Sequence, residues 1–288
     1  MSGIKWTRRT TSNISAPLAT LGIAVSKNTV GRLLKQMDFS LRVNRKQIAS
    51  TKDPNRNQQF LYVAGQKNRF AGQGLPGIRV DAEKKELIGH FKNPGASWVR
   101  DPILVKDHDF RSEAKALVTP YGVYDTQANR GSIFLGTSDD TPAFAVDAIW
   151  QWWLQEGLKR YPNANELLIL EDGGGSNASR SRAWKKAIQD HLCIRLGLTV
   201  TVTHYPPDTS KWNPIEHRLF SQISRNLAGE PLTEFDKALN FIRTTTTKPG
   251  LAVTDQLAAE IHEKGIKVTD KEMRLLNLAK HETFGRWN

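Results

Sequence analysis

Three carboxylates define the chemistry open to this sequence: Asp81, Asp172 and Glu216. Asp81 closes the short apolar run GIRVD, Asp172 follows LLIL within ELLILEDGGGSN, and Glu216 lies in SKWNPIEHRLF. Singly, each has an ordinary explanation. Asp is common at the start of turns, and Asp before Gly is turn chemistry. Glu216 follows Asn213 and Pro214 at the position of a capping-box glutamate. Together, three carboxylates repel one another unless cations neutralise them. Mg²⁺ (or Mn²⁺) suits such a set, taking oxygen ligands while keeping positions for water and phosphate. Two such ions, roughly 4 Å apart, can stabilise both the attacking and leaving oxygens of a phosphoryl displacement.

The residues around the three suggest supporting roles. Gly173 and Gly174 let the chain turn sharply after Asp172. Ser176 and Asn177 are expected to brace that turn through side-chain hydrogen bonds. Asn213 is the expected cap of the helix carrying Glu216, with His217 beside it. Lys211 and Arg218 flank Glu216 and are expected to contact a phosphate backbone. Glu171 adds a fourth carboxylate that could bind metal, add repulsion or face the other way. A competing reading makes the glycine loop a nucleotide cradle. GGGSNASRSR has neither GxGxxG nor Gly-Lys-Ser/Thr, and two acids precede it, so no nucleotide cofactor is expected. Asp107, His108 and Asp109 adjoin one another, so they cannot easily all face one ion, and they read as a loop.

The elements that must position these residues follow from periodicity. GIRVD (77–81), KELIGHF (85–91) and GSIFLGT (131–137) read as three sequential strands. A helix capped by Thr141, with Pro142 first, follows; its tryptophans Trp152 and Trp153 belong to a core-facing side. LLIL (167–170), a helix ending at Gly197, LTVTVTHY (198–205) and NPIEHRLFSQISRNLAG (213–229) complete the order. Three strands in a meander, then helix-linked strands added in parallel, give an α/β ribonuclease H-like mixed sheet with flanking helices. In that order strands one and four are neighbours, which brings Asp81 and Asp172 to one sheet edge.

Charge is unevenly distributed. Of a net +12, residues 1–60 hold eleven Lys and Arg against two acids. A basic end on a nearly neutral body points to a polyanion partner, most often nucleic acid. Ser26 can cap a helix in which Val30, Leu33, Leu34 and Met37 share one face. A shorter helix and a turn at Gly22 precede it, although Pro17 weakens that helix. This is the plan of a helix-turn-helix. Lys27, Arg32 and Lys35 on the second helix, and Arg42, Arg45 and Lys46 in the basic stretch beyond it, are the expected DNA contacts. The chain divides into a DNA-binding region and linker (1–58), a catalytic domain (59–249) and a helical C-terminal extension (250–288). Its one cysteine fits a reducing, cytoplasmic, nucleoid-associated setting, and no apolar stretch is long enough to span a membrane.

The motifs also carry a family resemblance. HYPPDTSKWNPIEHRLF resembles the third-carboxylate motif of mariner-type and related bacterial transposases. VDAEKKELIGHFKNPG, PYGVYDTQANRG, EDGGGSN and LNLAKHETFGRWN, taken with it, resemble the Asp-Asp-Glu transposases of the ISAzo group of insertion sequences, also called Rhodopirellula-type. The resemblance spans nearly the whole chain from about residue 25. It implies a catalytic triad and metal site at Asp81, Asp172 and Glu216, two divalent ions, and hydrolysis and strand transfer of DNA at the ends of a mobile element. It implies action as a homo-oligomer on DNA. It also implies more sequence ahead of the helix-turn-helix, so the N-terminal region reads as shortened. Two alternatives stay open at this point: a structure-specific nuclease on the same fold, and a DNA-binding remnant that no longer cuts.

Overall fold

A computed structural model of the chain describes residues 9–41, 54–137, 139–207, 209, 212–258 and 260–285. Two compact units are present, Met1–Ala49 and Ser50–Asn288.

The first unit is a helical pair, α1 (Thr11–Thr20) and α2 (Lys27–Gln36). Thr10 caps α1 by accepting from the Asn13 backbone, and Ser26 caps α2 by accepting from Thr29. Pro17 is inside α1, which survives the missing donor. Gly22, at φ +81°, turns the chain between the helices. Only Val30 of α2 is buried. Arg42, Arg45 and Lys46 lie outside the described residues.

The second unit opens with α3 (Arg56–Gly72), followed by β1 (Gly77–Ala82), β2 (Glu86–Ile88), β3 (Ala116–Asp125) and β4 (Arg130–Gly136). Helix α4 (Pro142–Trp152) continues through a π turn (Trp153–Gly157) into α5 (Leu158–Arg160). Then come β5 (Glu166–Glu171), α6 (Arg182–Ala187) with a π segment (Ile188–Ile194), and β6 (Thr199–His204). A π turn (Glu216–Phe220) leads into α7 (Ser221–Asn226), followed by α8 (Phe235–Arg243), β7 (Ala252–Ala258) and α9 (Asp270–Arg274).

The sheet order is β6-β5-β1-β3-β4-β7, with β2 paired to β3. β1, β3 and β4 run antiparallel, while β5 joins β1 and β6 joins β5 in parallel. This is the ribonuclease H-like arrangement. One face packs Ile78, Val80, Leu167 and Ile169 under α4 and α6; the other packs Tyr124, Ile133 and Leu135 under the helix after β6 and α8. Trp152 and Trp153 are in the first core.

Two strands depart from the expected order. The middle strand of the meander is β3, not 85–91, of which only Glu86–Ile88 is a strand, pairing outside the main path. β3 is not among the strands expected from the sequence, and it contains Pro120 and Gly122, both unfavourable inside a strand. Pro120 is tolerated because its missing N–H falls just beyond the last β1 pairing, Ala82 with Tyr121, while its carbonyl still accepts from the Glu83 backbone at 2.8 Å. Residues 252–258, expected to be helical, form β7, parallel to β4 over its whole length. There the helical reading is corrected: AVTDQLA sits at the sheet edge, with Val253 and Ala258 buried and Thr254, Asp255 and Gln256 half-buried between them.

Candidate active site

Central position fixes Asp81. On β1, Ile78 and Val80 enter the core under α4, so Arg79 and Asp81 point to the opposite face. β1 is flanked by β3 and β5, and Asp81 pairs in register with Gly122 of β3. Absence of a side chain at Gly122 makes room for a helix. A Cβ there would lie 2.6 Å from the Phe220 ring and 3.1 Å from Ile215. One at Gly131 of β4 would lie 2.3 Å from Leu219. Ile215, Leu219 and Phe220 therefore press into two bare patches of sheet, which seats Glu216 over β1.

Asp172 leaves β5 at the neighbouring position. Gly173, at φ +72°, turns the chain immediately after it, and a Cβ there would meet His204 Nδ1 at 3.3 Å. Asn213 links the second and third carboxylates. Its Nδ2 donates to Asp172 Oδ1 at 3.1 Å, while its Oδ1 accepts from the Ile215 backbone at 3.4 Å. Asn213 is fully buried, so a single side chain holds both Asp172 and the start of the Glu216 helix.

The electrostatics follow from this crowding. Burial, then the charges of Asp172 and Glu216, push the Asp81 carboxyl up to about 8. Burial raises Asp172, against the pull of the Asn213 hydrogen bond. Burial raises Glu216, helped by Glu83 and Asp172 and opposed by His217 and by a hydrogen bond with Asp81. Two carboxyls can share a hydrogen bond only if one holds a proton. Either protons or a cation must occupy this cluster at neutral pH. An all-oxygen donor set of this charge fits a hard divalent ion.

The model of the family described as "Rhodopirellula transposase DDE domain" matches residues 1–288. The chain belongs to that family. It is accordingly a DDE-type transposase, a metal-dependent nuclease and strand transferase acting on DNA. Similar solved structures include the Mos1 strand transfer complex, at 15% identity over 84% of this chain and 71% of that one, TM-score 0.49. The mariner Mos1 paired-end complex with Mg is 13% identical over 84% and 72%, TM-score 0.48. The HTLV-2 integrase catalytic core with magnesium is 13% identical over 61% and 90%, TM-score 0.31. No curated protein matches the chain.

Around the three carboxylates of this DDE domain, several expected residues take other partners. Ser176 donates to Asn177 Oδ1 at 3.1 Å, and Asn177 Nδ2 donates to the Tyr121 hydroxyl at 2.9 Å, so the pair anchors the loop to β3 rather than to Asp172. Gly174 has open space around it. Arg218 is exposed, and burial, then Arg79 and Arg218, lower Lys67. Lys211 lies outside the described residues. Glu171 points away: it is fully buried and pairs with His204 Nδ1 at 2.9 Å. Sequence reasoning missed Glu83, which burial raises and whose charge acts on Glu216. Its signal was available, since it stands two residues after Asp81. His108 meets Asp107 at 3.8 Å with both side chains exposed, as a loop pair.

Proposed function

We propose that Asp81, Asp172 and Glu216 are the catalytic carboxylates and hold two Mg²⁺ (or Mn²⁺) ions for cleavage and joining of DNA at insertion-sequence ends. The observation that carries the reading is the meeting of three carboxyls from β1, β5 and the helix after β6, with Asp81 raised to about 8. Bound ions would neutralise the phosphate and ease deprotonation of the attacking oxygen. The chain's own residues do the rest. Asp81, raised by burial and by the other two carboxylates, gives up its proton before the site loads. Asn213 keeps Asp172 aimed by its 3.1 Å hydrogen bond. Glu83, two residues on from Asp81, adds negative potential beside Glu216.

In the first step water attacks phosphorus at the element end, the P–O3′ bond breaks, and the 3′-oxygen leaves as a hydroxyl. In the second, that hydroxyl attacks a target phosphodiester, and one phosphodiester replaces another. No covalent enzyme intermediate is required. Lys27, Arg32 and Lys35 on α2, with Arg42, Arg45 and Lys46 beyond it, supply backbone contacts that hold the duplex. Arg218 and Lys211 contribute near the site, and His217 tempers Glu216. Residues 1–58 then act as the DNA-binding region. The working form is a homo-oligomer on DNA in the cytoplasm, at the nucleoid, without a nucleotide cofactor. No helix among the described residues is long and apolar enough to cross a membrane.

The test is cleavage of an end-bearing duplex in Mg²⁺ or Mn²⁺, with a strand-transfer readout. Asp172→Asn should cost about 4 kcal/mol of transition-state stabilisation, roughly a thousandfold in rate. Undiminished cleavage by that variant would remove Asp172 from the site. Cutting without joining would assign the chain to nucleases rather than transposases.

A further inference from the structure

Away from the triad, α4 carries a polar stripe on a helix that is otherwise buried. Asp147, Gln151 and Gln155 recur at helical spacing and face the last strand. Gln151 Nε2 donates to Asp147 Oδ2 at 3.2 Å, and Gln256 Nε2 of β7 donates to Gln151 Oε1 at 2.7 Å. Gln155 Nε2 donates to Gln256 Oε1 at 2.5 Å. At the open end of this ladder, the segment leaving β7 places Glu260 and His262 against Asp147. Ligand atoms of all three lie within 4.8 Å of one another. His262 Nε2 is 3.7 Å from Asp147 Oδ2, and both side chains are about nine-tenths buried, with 11% and 9% exposed.

We propose that Asp147, Glu260 and His262 form a second metal site, for a divalent transition ion of the Zn²⁺ or Co²⁺ kind, which clasps the segment after β7 to α4. Three observations support it. The donor set mixes imidazole with carboxylates, which suits zinc-like ions and not the hard Mg²⁺ that an all-oxygen site takes. Donor atoms around one ion with bonds near 2.1 Å stand roughly 3–4 Å apart, so small side-chain movements close the site. The hydrogen bond from Gln151 fixes the Asp147 carboxylate, as outer partners do at metal centres.

The site shares no residue with the triad, so the two can be separated. The full chain carrying Asp81→Asn and Asp172→Asn, stripped with chelator, is titrated with Co²⁺ and followed by visible absorption, with Zn²⁺ as competitor. One equivalent of Co²⁺ should bind with ligand-field bands, and Zn²⁺ should displace it. His262→Gln and Glu260→Gln, both outside the sheet and helices, should each weaken binding at least tenfold with unchanged circular dichroism. Gln151→Ala should weaken it by about ten- to a hundredfold. Absence of Co²⁺ binding in the triad-deficient chain, or binding that neither His262→Gln nor Glu260→Gln weakens, overturns the proposal. None of these readouts depends on DNA cleavage, so a failure here is distinct from a failure of the triad.

Discussion

An aspartate that keeps its proton up to about pH 8 cannot bind a cation until that proton leaves. The sign for stability follows. In the unfolded chain Asp81 titrates near 3.9, so between about 4 and 8 the folded, metal-free chain binds more protons than the unfolded one. Its stability must fall as pH rises through that window. Asp172, Glu216 and Glu83 are shifted in the same direction. The melting temperature in chelator should therefore decline from pH 5 to pH 8.5, and millimolar Mg²⁺ should recover it most at the upper end. A flat profile in chelator would mean that the carboxyls do not crowd as described. At this scale the sequence was most legible where a residue had one stereochemical task. Asn213 before Pro214 reads as a cap, and its Oδ1 does accept from Ile215. Its bond to Asp172 was not legible, because it crosses between distant elements. Nor was the direction of Glu171, which depends on strand register: a buried partner, His204, waits on the core face of β6.

Helices and strands were legible when their own period decided them. α2, α4, β5 and β6 each carry an unambiguous pattern, and they stand where caps and apolar runs put them. β3 and β7 did not, since tertiary pairing overrides local propensity in both. β3 tolerates a proline because one neighbour has ended, and β7 takes a half-polar sequence because it covers the edge of β4. In the proposed site, the seating of the Glu216 helix is the element-level feature on which activity depends. Gly131→Ala would drive a methyl to 2.3 Å from Leu219. Relief requires Leu219, and with it the buried helix it anchors, to give way, with a loss of about 1–3 kcal/mol as overpacked sites show. Thermal denaturation should register that loss, and cleavage should fall by more than the unfolded fraction explains. Normal cleavage by a folded Gly131→Ala chain would show that the close approach is incidental.

For the molecule as a whole, charge distribution makes a quantitative demand. Three of the cations assigned to DNA, Lys27, Arg32 and Lys35, lie on α2. Replacing all three with alanine should reduce the slope of log affinity against log salt by about 3, given about 0.9 per phosphate contact. An unchanged slope, measured from 50 to 200 mM salt, would put the duplex elsewhere. The fold class was legible at this scale through the order of strands and helices, even with the middle strand assigned to the wrong segment. What no local pattern conveys is assembly in time. The carboxylates arrive on β1, on β5 and on a helix that can dock only once β3 and β4 present their glycines. On the proposed triad, none of these parts could cut alone. A chain caught half-folded holds no blade, so a cell that harbours such a nuclease is shielded from its intermediates by the topology itself: the weapon exists only in the finished molecule.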